Sequence, residues 1–190
     1  MIYCRIAGTE VRVEFGFIAV CALLSAMENG RVLLYGFLAV ILHEAAHLAA
    51  MALLGMRAGS ITFHACGIRI CPDHRLCSYG RELVMLLAGP FANIAAWAAV
   101  SYFSGNMLIA QAQLITGLLN LLPCRRLDGG AALCCILSMT SLGFNTGERL
   151  MRIIFIITPI VLLAAGYFGD ITNFTYYALA LYLLFSEFFR

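Results

Sequence analysis

Lysine is absent from these 190 residues, and charged side chains of every kind make up only 12% of them. With 63% hydrophobic residues and a mean hydropathy of +0.93, most of the length cannot be ordinary soluble surface. The composition is that of a polytopic membrane protein. The length holds about six spans of roughly 20 residues with short connections, and leaves no room for a further globular domain. Residues 1–190 therefore read as a single membrane-embedded domain, with no recognisable PDZ or nucleotide-sensing module. The net charge of +2 rests on 12 arginines that stand singly or in pairs in the connections. They form no basic stripe, which excludes direct nucleic-acid binding.

A disulfide framework is also missing. Of the 8 cysteines, Cys21, Cys134 and Cys135 lie in apolar segments, where a thiol packs as a small hydrophobe. Cys66, Cys71 and Cys77 share one loop with His64 and His74, but without the paired CxxC spacing of a zinc knuckle. The amino end carries polar and acidic residues ahead of its apolar run and no small-residue cleavage site after it. An uncleaved first span is expected there.

Six apolar stretches can be marked, at residues 12–28, 31–55, 81–103, 106–122, 149–168 and 171–188. A seventh, 129–139, is too short to span. The one long connection, residues 56–80, alternates in character from Ser60 to Cys71 around Gly67, the pattern of a β-hairpin. The expected fold is thus all-α and polytopic, with about six transmembrane helices and a short hairpin. Six spans would put both termini, the 56–80 loop and the 123–152 connection on one side, with eleven arginines against Arg31 alone on the other. That bias predicts a protein of the cytoplasmic membrane with both termini in the cytoplasm.

The second stretch reads RVLLYGFLAVILHEAAHLAAMALLG, apolar except for His43, Glu44 and His47 near its middle. A carboxylate at the centre of a membrane helix costs about 2.5 to 3.5 kcal/mol on insertion scales, so Glu44 requires a partner. Histidines at i and i+4 share one helical face, at a spacing that lets both imidazoles reach a single tetrahedral metal. Glu44 then stands beside the metal, where it can accept a proton from metal-bound water. The plainer alternative is a polar cluster bonding helices together.

HExxH supplies two protein ligands, whereas a catalytic zinc normally takes three and keeps one position open. The fourth stretch ends in LITGLLNLLPCRRLDGG, where Pro123 breaks the helix and Gly129 and Gly130 permit a sharp turn. Asp128 can then fold back toward the membrane as the third ligand, or simply cap the helix that follows. Both motifs fall in the cytoplasmic half of their spans, so a shared site is geometrically possible.

HEAAH in one span, AGPFAN in the next and NLLPCRRLDGG after the third together resemble the site-2 protease family of intramembrane metalloproteases. The resemblance covers residues 31–140, a three-helix catalytic core, and the layout is similar to the bacterial branch that includes the sporulation protease acting on a pro-sigma factor. It implies one zinc held by His43, His47 and Asp128, with Glu44 as the catalytic base. It also implies that Asn120 and, more weakly, Asn93 contact substrate or the developing oxyanion; Asn93 can equally serve interhelical hydrogen bonding. Cys124, Arg125, Arg126 and Leu127 stand where relatives often have a second proline.

The implied activity is zinc-dependent endopeptidase hydrolysis of membrane-spanning or membrane-associated proteins, as in regulated intramembrane proteolysis. Substrates of that kind include a transcription-factor precursor or its membrane regulator, and a regulatory membrane protein is a further expected partner beside the lipid bilayer. The 56–80 hairpin offers a strand edge for an extended peptide. A zinc-binding membrane regulator without proteolysis is the alternative. A transporter is disfavoured because only one ionisable cluster is evident and no inverted repeat is readable.

Overall fold

A computed structural model of the protein describes residues 2–6, 9–13, 30–56, 58–64, 67–72, 78–140 and 144–188. In chain order the elements are β1 (Ile2–Ile6), β2 (Thr9–Val13), α1 (Gly30–Leu53), β3 (Ala58–His64), β4 (Gly67–Pro72) and α2 (Tyr79–Phe103). Then come α3 (Met107–Leu121), α4 (Asp128–Ser138), α5 (Phe144–Phe168) and α6 (Phe174–Phe188). Three of the helices are long and apolar enough to cross a membrane: α1, α2 and α5 from Thr146 onward. Helices α3 and α6 have 15 residues each. They rise about 22 Å, less than the roughly 30 Å of a bilayer's hydrocarbon core.

The amino end differs from the all-α expectation. Residues 12 and 13, assigned to the start of a first span, belong to strand β2; residues 14–29, the remainder of that stretch, lie outside the described residues. The reason is visible in TEVRV, where Thr9, Val11 and Val13 alternate with Glu10 and Arg12. A period of two with β-branched residues favours a strand over a helix. The sheet has the order β1-β2-β3-β4. β1 and β2 pair antiparallel, as do β3 and β4, with Ile61 opposite Ile70 and His64 opposite Gly67. β2 and β3 pair parallel. A parallel pair needs a crossover connection, and α1 lies within that connection. Of the loop considered for a second metal site, Cys66, His74 and Cys77 lie outside the described residues.

The chain forms two compact units, Met1–Leu118 and Leu119–Arg190. In the first, α1 is rich in leucine and alanine, which favour helix, and ends at a left-handed glycine. Gly55 has φ +67°, Met56 N–H donates to Met51 O at 2.9 Å, and Gly55 N–H donates to Ala52 O at 3.2 Å. Such a cap satisfies carbonyls that the helix end would otherwise leave unpaired. The buried residues of α1 are Ala39, His43, His47 and Met51, one face at a spacing of four. Leu34, Leu38, Ile41 and Leu42 are exposed, as a lipid-facing surface requires. On α2 the buried face is Met85, Gly89, Pro90 and Asn93, and on α3 it is Ala110, Gln113 and Gly117. Small residues on these faces let helix backbones approach closely, the packing mode available where no water drives association.

In the second unit, three turns follow α3. Cys124 N–H donates to Leu122 O across Pro123 at 2.7 Å, Leu127 N–H donates to Cys124 O at 2.9 Å, and α4 starts directly behind them. Arg125 is tied down from two sides. Its guanidinium pairs with Glu187 at 3.1 Å and lies 5.2 Å from the centre of the Phe155 ring. The carboxylate it meets is only 4% exposed, so this pair anchors the connection to α5 and α6.

Candidate metal centre

The HEAAH motif lies on the buried stripe of α1, with His43 4% and His47 6% exposed. Glu44, one residue off that stripe, is half-buried. The two rings meet edge to face with centroids 4.7 Å apart. Their Nε2 atoms face each other at 3.1 Å.

What those nitrogens are follows from their neighbours. His47 Nδ1 lies 2.7 Å from Met85 O. A backbone carbonyl can only accept, so His47 Nδ1 carries the proton and its Nε2 presents a lone pair. His43 Nδ1 lies 3.1 Å from Asn93 Oδ1. The amide orientation is itself settled, because Asn93 Nδ2 donates to Ala39 O at 3.1 Å, again an obligate acceptor, and to Gln113 Oε1 at 2.9 Å. His43 Nδ1 is therefore protonated as well.

With both rings neutral, the two imidazoles bring two lone pairs to within 3.1 Å, an arrangement that repels unless a metal ion or a shared proton sits against both. Zinc–nitrogen bonds of about 2.0 to 2.1 Å at a tetrahedral angle hold two nitrogens about 3.3 to 3.4 Å apart. The spacing fits. The backing of each ligand's second ring nitrogen by a carbonyl is the usual arrangement around zinc-binding histidines. Asp128, the third ligand that the sequence implies, belongs to the second unit.

Asp128 is the first residue of α4, half-buried, and the helix N-cap is Leu127, with extended backbone at φ −109° and ψ 159°. Asp128 is thus not the capping residue of that helix. A carboxylate in the first turn is nonetheless favoured by the helix dipole. Gly129 and Gly130 do something other than turn the chain left-handed, since the described glycines with positive φ are Gly55 and Gly105. A Cβ at Gly129 would run into Leu121 O, and one at Gly130 into Cys124 O. The paired glycines let the first turn of α4 nest against the preceding turns, which fixes where Asp128 starts. Cys124 in those turns is buried, and burial, with the Glu187 charge adding, pushes its thiol up to about 11. It stays a neutral thiol near pH 7.

Of the two roles open to Asn93, the contacts seen are those of interhelical hydrogen bonding. It is fully buried, its N–H donors go to Ala39 O and Gln113 Oε1, and its oxygen faces His43 Nδ1. Asn120 lies half-buried near the end of α3. Gln113 and Gly89 escaped the sequence reading. Gln113 could have been picked out from the 110/113/117 spacing of the buried face of α3. Gly89 is required by closeness: a Cβ there would strike His47 Nε2 and come within 2.8 Å of His43 Cε1.

Three helices long and apolar enough to cross a membrane, with a buried histidine pair on the first of them, define a membrane protein with the groundwork of a metal centre. The chain is similar in structure to the Site-2 Protease from Methanocaldococcus jannaschii, with a TM-score of 0.70 and 22% sequence identity over 98% of this chain and 93% of that one. At that identity the likeness establishes the fold. A scan against protein-family models and a search of curated proteins each give no match.

Proposed function

We propose that the protein is an intramembrane zinc metalloprotease of the site-2 protease family, acting as one membrane-embedded domain on membrane-spanning or membrane-associated proteins. The observation that carries this reading is the pair of lone-pair-bearing Nε2 atoms at 3.1 Å, supported by a fold shared with a Site-2 Protease. His43, His47 and Asp128 would hold the metal, which when bound supplies Lewis acidity toward a peptide carbonyl and a water made more acidic. Glu44, adjacent to His43 and outside the ligand set, takes the attacking water's proton and passes it to the departing amine. Asn120 donates an N–H toward the carbonyl oxygen as negative charge develops there. No acyl-enzyme is required.

Zinc content and cleavage, measured together, test the assignment. Asp128→Ala deletes a ligand, so zinc by elemental analysis and cleavage of a co-expressed single-span substrate should fall together, as they should in His43→Ala or His47→Ala. Full zinc with normal cleavage in Asp128→Ala would remove that residue from the site.

Proteolysis needs an extended peptide, and β4, at one edge of the sheet, is the strand we assign to hold it by main-chain hydrogen bonds. Proline at Ile68 or Ile70 removes one backbone donor and fixes one backbone angle. Cleavage should drop while zinc content holds; wild-type rates in both variants would leave the hairpin as mere cover.

The arginine bias supports a six-span arrangement in the cytoplasmic membrane with both termini inside. Single cysteines placed at the amino end, in the 56–80 loop and at the carboxyl end of a cysteine-free variant should resist an impermeant thiol reagent in intact cells. Labelling at the carboxyl end alone would show the number of spans to be odd.

A further inference from the structure

We infer that Gln113 is a positioning residue for metal binding: by accepting from Asn93 it holds the Asn93 amide in the one orientation that leaves His43 Nε2 able to bind a cation. The inference rests on the metal-site reading above. An asparagine amide can be turned over, exchanging its oxygen and nitrogen. Turned over here, Asn93 Nδ2 would donate to His43 Nδ1, the ring proton would move to Nε2, and the lone pair aimed at the metal would be gone. Ala39 O at 3.1 Å opposes that turn outright, since it would then face an oxygen, and Gln113 Oε1 at 2.9 Å opposes it unless the Gln113 amide turns over as well. Ala39 O is main chain and is present whatever the side chain. Gln113 is the acceptor that the sequence supplies by choice, a 5% exposed amide on the buried face of α3.

The packing that brings Gln113 to Asn93 is independent of the hydrogen bonds. Gly117 lies one turn further along the same face of α3, and a Cβ there would stand 3.0 Å from Pro90 O and 3.2 Å from Asn93 Cβ. The missing side chain lets α3 settle against α2 at this level. All polar groups in the relay are buried, where a hydrogen bond gains strength from the low dielectric and an unmatched group is costly. From Gln113 through Asn93 to His43 the network crosses three helices and reaches the Nε2 that faces His47.

Zinc affinity of the full-length protein in detergent micelles, titrated with Zn²⁺ against a chromogenic chelator, tests the relay. Gln113→Leu should weaken binding about 10-fold, and Asn93→Leu by about 10- to 100-fold, the range for partners behind a ligand. The double variant should bind no worse than Asn93→Leu alone, because Gln113 acts through Asn93. Gln113→Glu keeps an acceptor oxygen at the same place and should restore affinity to within about threefold of wild type. Thermal unfolding of the metal-free proteins separates this from plain helix packing. If Gln113→Leu lowers metal-free stability but leaves zinc affinity unchanged, or if Leu and Glu weaken binding equally, the proposal is overturned while the metal site stands. A wild type that binds no zinc overturns the metal site and this proposal with it.

Discussion

Glu44→Gln protein should bind as much zinc as wild type and cleave a single-span substrate at least about 10²-fold more slowly, the lower end of what a general base contributes. The two halves of that result have separate causes. His43 and His47 sit on the buried stripe of α1, with ring positions set by Asn93 and Met85. Glu44 is not one of the three proposed ligands, so replacing its carboxylate by an amide of the same size should leave them in place. What the amide cannot do is take a proton from water at neutral pH. Elemental analysis and cleavage on one preparation distinguish the outcomes: loss of zinc would make Glu44 a ligand or a structural partner, and cleavage within about threefold of wild type would put the base elsewhere.

How much of this was legible beforehand depends on the range of the interaction. The helices were readable because each is a local composition: the stretch marked at 31–55 became Gly30–Leu53, and 129–139 became Asp128–Ser138. The two histidines were readable for the same reason, since a spacing of four is set by the helix itself. The partners behind them were not. Asn93 is 50 residues from His43, and Gln113 lies 20 beyond Asn93. No periodicity in one segment encodes a contact with another.

Ambiguity remained where two local rules competed. Asn93 in AGPFAN was open to a substrate role or to interhelical hydrogen bonding, and its hydrogen bonds to Ala39 O and Gln113 Oε1 depend on how closely α1, α2 and α3 approach. Gly129 and Gly130 suggested backbone freedom, whereas the structure uses their lack of a side chain. The strand at Thr9–Val13 was legible in the alternation of TEVRV, but the apolar run that follows invited its last residues into a membrane span. In each case the residue type was informative, and the choice between its two uses was made by packing.

Gly89→Ala carries the largest expected effect of any single methyl group: near-complete loss of zinc in a protein whose helices still form. A Cβ at that position would overlap His47 Nε2 and stand 2.8 Å from both His43 Cε1 and His47 Cε1. The rings cannot easily move aside. His47 Nδ1 is tethered to Met85 O at 2.7 Å on the same turn of α2, and His43 Nδ1 is tethered to Asn93 one turn further on. Overpacking of this kind typically costs about 1 to 3 kcal/mol, while alanine in place of glycine favours the helix by about 1 kcal/mol, so the fold should survive. The metal would not, because the added methyl crowds His47 Nε2 and the Cε1 edges of both rings. Gly80→Ala is the control, since nothing lies within 4 Å of a Cβ there. It should bind zinc as wild type does. Circular dichroism should show native helix content in both variants, and zinc content below about a tenth of wild type in Gly89→Ala corresponds to at least about 1.4 kcal/mol of lost binding. Full zinc occupancy in Gly89→Ala would mean that the histidines meet their metal somewhere other than against this face of α2.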